Sequence, residues 1–402
     1  MIEPVLISGP GVWMESEATR QLAAVAQLEG CVHAAGMPDL HPGRGFPIGA
    51  VVATRDVVHP HLVGGDAGCG VRVVVTGVDK ASPDRLERRL RAAFDEPVLD
   101  AVDPAALFEA VWQFGASGLA ELAGVPDDLR RLATTEPACD GLAPSADAAP
   151  YRQGFEGSLG TIGGGNHFAE IARVGPVLDG EAGAAIGLAR NALVVLAHSG
   201  SRGLGAALAA AWATRVLGGA NRDQYLGELA GACRFARANR LVLAYRLLGA
   251  LGALRDHTRR GSFDISHNDV RSEPVAGAPA WVHRKGAAPA PAGALTVVLG
   301  SRGAPSWIMK GTGAAAGLAS VAHGAGRRMT RSEAVDKLKQ RYRRSEVARS
   351  ALGSRVICDD KILLFEEHPD AYKAIEPVIC ALEAHHQATR VAQLTPIATV
   401  KL

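Results

Sequence analysis

The sequence has little of what marks several common classes of protein. Only six of its 402 residues are cysteine, and none of them forms a Cys-x-x-Cys pair, which argues against a disulfide-stapled secreted domain. Its apolar runs, such as 192–197, are too short to cross a bilayer. The first residues lack a basic segment followed by an apolar core, so they do not predict a secretory signal. We therefore expect a reduced, cytoplasmic protein without a membrane partner.

An excess of charge of one sign is also missing. The chain has 43 Lys and Arg against 41 Asp and Glu, a net charge of +2, so any surface that binds phosphate must be local. The one strongly basic stretch is 326–349, with nine Lys or Arg against three Asp or Glu. A solvated helix face is the usual interpretation of such a stretch. A surface for RNA phosphates is the alternative.

Hydrophobic residues make up 48% of the chain, which predicts a folded protein with a large core. Four short apolar runs are typical of β-strands and lie at 48–53, 71–75, 193–196 and 295–299. Four stretches have helical spacing and lie at 84–94, 206–217, 233–254 and 332–352. Two Ala- and Pro-rich segments, 134–150 and 287–293, are typical of loops.

These elements do not follow a strict βαβ order, so we predict an α+β fold. The sequence contains no internal repeat and no convincing second domain boundary. The polar motifs come from across the chain, which favours one site built by one domain, residues 1–402.

The first of these motifs is a glycine turn at 64–70. Asp66 and Cys69 lie three residues apart among four glycines, so both side chains can face one point. A thiolate and a carboxylate together suit a borderline divalent metal such as Mn²⁺ or Zn²⁺. For this turn alone, a buried cysteine with a capping aspartate is the more frequent interpretation.

The second motif follows three glycines at 163–165, where the backbone can approach a ligand closely. Asn166, His167 and Glu170 then offer an amide, an imidazole and a carboxylate. The alternative interpretation is a loop that enters a strand, with His167 hydrogen-bonded in the core.

Three further histidines lie among small residues. His198 ends an apolar strand, and Arg202 follows it in a Ser/Gly turn where a guanidinium can clamp a phosphate. His267 is followed by an asparagine, a pair that is more often structural. His323 is bracketed by alanine and glycine, which leaves its ring open to whatever approaches it.

Together these motifs predict a metal site with a phosphate clamp. A single metal takes about four ligands. The candidate ligands are Asp66, Cys69, His167, His198 and His267. These five candidates, without His323, exceed the number that one metal takes, which indicates two metals bridged by the thiolate.

The same segments resemble the RtcB family of RNA ligases, and they occur in the order of that family. The matching motifs are MPDLH at 37–41, DAGCG at 66–70, LGTIGGGNHF at 159–168, HSGSRG at 198–203 and HGAGR at 323–327. The resemblance covers about 37–401. It implies a mixed α and β fold particular to the family, with a central metal pocket.

The resemblance also implies the cofactors, two Mn²⁺ ions and GTP. Cys69 would bridge both ions, Asp66 and His167 would complete one site, and His198 and His267 would complete the other. His323 would be the nucleophile that attacks GTP and carries GMP.

Further residues are implied in binding the nucleotide and the RNA end. Phe168 and Tyr372 would flank the guanine, and Glu170 and Lys401 would contact its edge. The residues implied around the phosphate and sugar are Asn166, Asn268, Ser301, Ser306, Gly324 and Gly326. Arg202 and Arg327 would hold phosphate at the RNA end.

The implied activity joins an RNA 3′-phosphate or 2′,3′-cyclic phosphate end to a 5′-hydroxyl end, in RNA repair or tRNA splicing. We expect a monomer, and the resemblance allows for an activating protein partner. A metal-dependent RNA-end phosphatase or cyclic phosphodiesterase without ligation is one alternative. A non-catalytic RNA-binding protein is another.

The chain departs from the family in three places. Ser266 stands where the family has a second histidine, and Arg302 replaces a methionine and adds a cation beside the expected nucleotide site. The chain ends in Lys-Leu where Lys-Gly is more usual. Divergent members of this kind accompany a release-factor-like protein and act in RNA damage repair, and this subgroup fits the departures.

Overall fold

The computed structural model describes residues 2–137, 141–151, 154–213 and 215–401. Part of the loop predicted at 134–150 and the last residue, Leu402, lie outside these ranges. Within them, no helix combines the length and the apolar composition that crossing a bilayer requires.

The strands, numbered in chain order, are β1 Val5–Leu6, β2 Cys31–His41, β3 Ile48–Thr54, β4 Gly70–Thr76, β5 Phe168–Val177, β6 Leu193–Ser199, β7 Arg259–Ser266, β8 Asn268–Val275, β9 Ala278–Lys285, β10 Ala287–Pro289, β11 Leu295–Val298, β12 Ser306–Gly311, β13 Ser320–Ala322, β14 Arg355–Ile357 and β15 Ala388–Val400. The α-helices are α1 Ser16–Val25, α2 Pro83–Asp95, α3 Pro104–Phe114, α4 Asp127–Thr134, α5 Gly180–Ala185, α6 Gly203–Ala211, α7 Gly219–Leu251, α8 Arg331–Arg341, α9 Arg344–Val347, α10 Lys361–Glu366 and α11 Ile375–Ala384. Short 3₁₀ helices lie at Pro60–Leu62, Gly115–Ala120, Ala149–Tyr151, Glu156–Ser158, Asp256–Thr258, Ala315–Gly317 and Pro369–Ala371.

Two large sheets form the centre of the fold. The larger has the order β11-β12-β15-β5-β6-β4-β7, with β14 also paired to β15. The smaller has the order β1-β2-β3-β9-β8, and β10 pairs with β13 in a third, two-stranded sheet. Most neighbouring strands are antiparallel, whereas β1 with β2 and β14 with β15 are parallel. The predicted α+β fold is confirmed.

The larger sheet is buried on both faces. Along β4, Val71 and Val73 pack in the core shared with the smaller sheet, whereas Val74 packs in the core shared with the helices. Because successive side chains point to opposite faces, burial on both faces requires an almost continuous apolar run. This explains the runs at 71–75 and 193–196 in the sequence.

Helix α7 packs on the helical side of the larger sheet. Four consecutive residues, Leu241 to Ala244, are buried, as expected of a helix that is covered on all sides. It ends at Gly252, whose φ of +79° forms a left-handed C-cap.

The helix and loop predictions were wrong at several boundaries. The stretch at 206–217 is helical only to Ala211, because Leu217 forms a β-bridge with Val58 instead. Helix α7 begins at Gly219, well before 233. The stretch at 332–352 forms two helices, α8 and α9, and the intervening Tyr342 stacks on His368 at 4.4 Å. The predicted loop at 287–293 begins with strand β10.

Candidate metal and nucleotide site

Three strands of the larger sheet bring the predicted metal ligands to one edge. Gly70 at the start of β4 pairs with Ser199 at the end of β6 and with Ser266 at the end of β7. The neighbouring residues Cys69, His198 and His267 therefore come together. His167 immediately precedes β5, whose first residue, Phe168, pairs with His198.

The Cys69 thiol lies at the centre of the predicted ligands. Its Sγ atom is 3.3 Å from His167 Nε2, 3.5 Å from His198 Nε2 and 3.3 Å from His267 Nε2. Asp66 Oδ2 is 2.8 Å from His167 Nε2. The structure thus brings all five candidate ligands together, and we call them the thiol cluster. Cys69, His167 and His198 are buried, and their ligand atoms lie within 4.8 Å of one another.

Glycine is required where the turns of this cluster approach each other. A Cβ atom at Gly200 would lie 1.9 Å from Asp66 Oδ1. Gly68 has a φ of +70°, and a Cβ atom there would lie 2.7 Å from the backbone of Cys233. The glycines in the motifs therefore make room for the carboxylate and for the tight turn.

The charge state of the thiol cluster suits a divalent cation. Burial, together with neighbouring histidines, lowers the pKa of His198 and His267 well below the ordinary value, so both imidazoles are neutral and keep a lone pair. Burial and the Asp66 carboxylate raise the pKa of the Cys69 thiol, a shift that a bound cation opposes. One sulfur, three imidazole nitrogens and a carboxylate fit a borderline divalent metal.

His323 follows β13 and lies beside the thiol cluster, with its ring centre 5.1 Å from that of His267. Its Nδ1 atom is 2.6 Å from Asp39 Oδ2 and 2.7 Å from the Gly286 carbonyl oxygen. Both partners are acceptors, so Nδ1 carries the proton and the neutral ring has its lone pair on Nε2. Burial lowers the pKa of His323, but Asp39 and the Gly286 carbonyl outweigh burial, and the net pKa is raised.

Asp39 lies in the MPDLH motif but had no predicted role. Asp39 is fully buried, and a Cβ atom at Gly49 would lie 2.7 Å from its Oδ1 atom. The available signal was an aspartate within the otherwise nonpolar stretch 34–40, because buried carboxylates are rare unless they are paired.

A cavity of about 610 Å³ opens beside His323 and the thiol cluster. Most of the predicted site residues line it. The predicted residues that do not line it are His167, Arg202 and Ser306. Three basic residues that were not predicted as site residues also line the cavity, namely Arg44, Lys285 and Arg331.

The residues predicted to contact the guanine share one part of this cavity. Phe168 and Tyr372 are half-buried, and Lys401 Nζ lies 5.9 Å from the centre of the Phe168 ring. Lys401 donates hydrogen bonds to the carbonyl oxygens of Gly165 at 3.0 Å and His167 at 2.8 Å.

Glu170 is buried beside these residues, and its Oε2 atom accepts a hydrogen bond from the Thr399 hydroxyl at 2.6 Å. Burial raises the pKa of Glu170 to about 7, against the opposing effects of Thr399 and Lys401.

Several residues predicted to bind the sugar and phosphate brace the cavity wall. Asn268 donates to the Asp66 carbonyl oxygen at 3.1 Å and accepts from the Gly286 amide at 2.7 Å. Ser306 Oγ is buried and accepts from the Gly300 amide at 3.0 Å. Ser301 accepts from the Gly303 amide at 3.3 Å and lines the cavity. The lining also includes Asn166, Gly324 and Gly326.

The two arginines predicted to bind RNA phosphate differ in their surroundings. Arg202 packs over Gly163, donates to the Thr161 hydroxyl at 3.1 Å and approaches His167 Nδ1 at 3.5 Å.

Arg327 is held more firmly. It donates to Glu367 Oε1 at 2.9 Å and to the carbonyl oxygens of Glu366 and Met329 at 2.8 and 3.0 Å. Its guanidinium is therefore committed to the protein, whereas Arg202 has fewer partners.

Two of the three departures from the family motifs, Ser266 and Arg302, are buried. Ser266 Oγ is 3.4 Å from Arg240 Nη2. Arg302 is 6% exposed and donates to the Leu364 carbonyl oxygen at 2.7 Å, and its Nη1 atom has no partner among the described residues. Burial lowers the pKa of Arg302 to about 10. The added cation lines the cavity wall, as expected from its position beside Ser301.

The fold and site define a class of protein with a buried cysteine–histidine centre, an adjacent oriented histidine and a large cavity. A family model described as "tRNA-splicing ligase RtcB" matches residues 21–402. RNA-splicing ligase RtcB2 of Escherichia coli is 36% identical, over 98% of this chain and 94% of its own length. RNA-splicing ligase RtcB of Mycobacterium tuberculosis is 32% identical, over 95% and 100%. The tRNA-splicing ligase RtcB of Archaeoglobus fulgidus is 28% identical, over 96% and 92%.

This chain belongs to the RtcB family. The resemblance drawn from the five motifs is thereby confirmed.

Proposed function

We propose that this protein is a GTP- and Mn²⁺-dependent RNA ligase. It joins RNA ends that carry a 3′-phosphate or a 2′,3′-cyclic phosphate to 5′-hydroxyl ends, through a guanylylated histidine. The observation that supports this most is the position of His323, oriented by Asp39 and adjacent to the five side chains of the thiol cluster. The relatives, named as RNA-splicing and tRNA-splicing ligases, support the ligase activity.

The thiol cluster is the proposed binding site for two Mn²⁺ ions. Asp66 and His167 would hold one ion, His198 and His267 would hold the other, and Cys69 would be a ligand of both. Ions bound there would supply neutralisation of phosphate charge and polarisation of phosphorus–oxygen bonds.

His323 is the proposed nucleophile. Its Nε2 lone pair attacks the α-phosphorus of GTP, a nitrogen–phosphorus bond forms, and the bond to pyrophosphate breaks. Because Nδ1 keeps its proton, the phosphorylated ring is cationic, and the Asp39 carboxylate stabilises that charge. Phe168 and Tyr372 flank the guanine, and Glu170 accepts from its N–H groups.

The RNA end then takes the nucleotide. An oxygen of the 3′-phosphate attacks the GMP phosphorus, and the bond to His323 breaks. The 5′-hydroxyl oxygen next attacks the 3′-phosphate, its proton is lost, and GMP leaves. Water opens a cyclic phosphate before these steps. Arg202, which has few partners in the protein, is the proposed clamp for the RNA phosphate.

Helix α8 supplies a basic surface next to the cavity. Arg331 lines the cavity, and its side chain is 59% exposed. Lys337 and Arg341 on the same helix are 62% and 67% exposed. Exposed cations beside a site for phosphate ends support binding of the RNA backbone. We also propose that 1–402 acts as one domain and as a monomer in the cytoplasm.

Incubation with labelled GTP and Mn²⁺ tests the proposal. One GMP should bond to His323 through nitrogen, and mild acid should release it. The variant His323→Ala should lose the adduct and end joining but keep its metals, because His323 is outside the thiol cluster.

Joining of ends by His323→Ala, or a wild-type protein that never takes up GMP, would refute the guanylyl mechanism. The phosphatase or cyclic phosphodiesterase alternative would then explain the same metal site.

A further inference from the structure

Helix α7 places one side chain beneath the three strand ends that carry the thiol cluster. Arg240 has no exposed surface. Its Nη1 atom donates to the Gly68 carbonyl oxygen at 2.6 Å and to the Ser199 carbonyl oxygen at 2.9 Å. One guanidinium nitrogen therefore links the turn before β4 to the end of β6.

The other two nitrogens of Arg240 contact β7. Nε and Nη2 donate to the two carboxylate oxygens of Asp264 at 2.8 and 2.6 Å, and Nη2 lies 3.4 Å from Ser266 Oγ. A guanidinium has five N–H groups, and here each has an acceptor. The buried charge is paired with Asp264, which such a charge requires.

The acceptors outside Asp264 adjoin the thiol cluster in sequence. Gly68 precedes Cys69, Ser199 follows His198, and Ser266 precedes His267. Arg240 is thus one rigid, planar group that contacts the immediate neighbours of three candidate metal ligands in three separate segments of the chain.

We propose that Arg240 is a positioning residue that sets the spacing of Cys69, His198 and His267 and thereby the metal affinity of the thiol cluster. Metal sites require ligand positions within a few tenths of an ångström, and hydrogen bonds behind the ligands supply that accuracy. The inference rests on the proposed metal site. It also assigns a role to Ser266, which stands where the family has histidine. The Ser266 hydroxyl accepts a hydrogen bond from the fifth N–H group of Arg240.

Lysine is the informative substitution at this position. Arg240→Lys keeps the buried positive charge opposite Asp264 but has three donors on one atom, which cannot reach acceptors in three separate segments together. Loss of partners behind metal ligands weakens metal binding by about 10- to 100-fold. We expect that range for Arg240→Lys, and about a twofold to fivefold loss for Ser266→Ala, which removes one long contact.

The control is Arg284→Lys. Arg284 is equally buried and donates to both oxygens of Glu273, to Ser320 Oγ and to the Leu318 carbonyl oxygen. None of these acceptors adjoins a residue of the thiol cluster. This variant should lose thermal stability comparably but keep the metal affinity of the wild type.

The measurement is a titration of metal-free protein with Co²⁺, followed by its thiolate charge-transfer absorption, with thermal unfolding of each metal-free variant. A weaker dissociation constant and an altered absorption band in Arg240→Lys, but not in Arg284→Lys, support the inference. Wild-type affinity in a folded Arg240→Lys protein overturns it. If Arg240→Lys does not fold, unchanged affinity in Ser266→Ala overturns it.

The same titration separates this inference from the proposed function. A wild-type protein that shows no charge-transfer band, or one whose band survives Cys69→Ser, refutes the metal site itself and the inference with it. Equal binding by the wild type and Arg240→Lys refutes the inference alone.

Discussion

The buried carboxylate of Asp39 offers a sharp test of how His323 is activated. Asp39→Asn keeps the size of the side chain but removes the charge 2.6 Å from His323 Nδ1. The ring keeps its second acceptor, the Gly286 carbonyl oxygen at 2.7 Å, so its orientation should be preserved. The variant therefore isolates the electrostatic contribution of the carboxylate.

The size of the effect follows from that single lost interaction. A hydrogen bond to a charged group contributes about 1.5–3 kcal/mol, which corresponds to roughly a 10- to 100-fold change in rate. The charge on the ring is largest when GMP is bonded to Nε2, so the loss should fall on the formation of that bond. We expect self-guanylylation of Asp39→Asn to slow by this factor, with the metal content unchanged.

The pH dependence gives a second, independent signature. Asp39 contributes to the raised pKa of His323, and only the neutral ring can attack GTP. Without the carboxylate the pKa of His323 falls, so the rate of self-guanylylation should begin to rise at a lower pH than in the wild type. Single-turnover reactions with labelled GTP at saturating Mn²⁺, run across pH, measure both the rate and the shift.

The matched control is Asp269→Asn, which alters a fully buried carboxylate that pairs with Arg271 at 2.8 Å. It should leave the rate and pH profile unchanged. An unaltered rate and profile in Asp39→Asn would show that the carboxylate does not act on the nucleophile. A slow variant that has also lost metal would mean that Asp39 supports the fold of the site.

Three further outcomes follow from the site. Cys69→Ala removes the sulfur that lies within 3.5 Å of three imidazole nitrogens, so elemental analysis should find less than one Mn²⁺ ion per chain. Full metal content in this variant would show that Cys69 is a residue of the core and not a metal ligand. Because burial raises the pKa of Glu170 to about 7, its anionic form is lost as pH falls through 7, and GTP should bind about tenfold more weakly at pH 6 than at pH 8. Glu170→Gln should abolish that pH dependence in calorimetry, and a persistent dependence would assign it to another group. Arg302→Met removes a buried cation with a nitrogen that has no partner in the part of the chain that the structure describes, so thermal unfolding should show a stability gain of about 1–3 kcal/mol. A loss of stability would reveal a partner for that nitrogen.

The family and the chemical groups at the site could be predicted from the sequence, because both depend on short sequence motifs. The spacing of Asp66 and Cys69, taken together with the histidines of the other motifs, predicted a metal site without knowledge of the fold. The buried strands were predictable for a similar reason, since burial on both faces leaves an apolar run. Helix boundaries were less accurate, because tertiary contacts such as the bridge of Leu217 to Val58 end elements that local spacing would continue.

The pairing of distant residues was decided by the tertiary structure alone. Asp39 lies on β2 in the smaller sheet, and its approach to His323 depends on how the elements pack, which no local pattern encodes. Arg240 looks like any arginine on a long helix until the register of β4, β6 and β7 places acceptors from four residues around it. The sequence alone therefore determined which chemical groups are present. Strand register and sheet packing determined which of them touch, because contacts between distant segments arise only when the whole core closes.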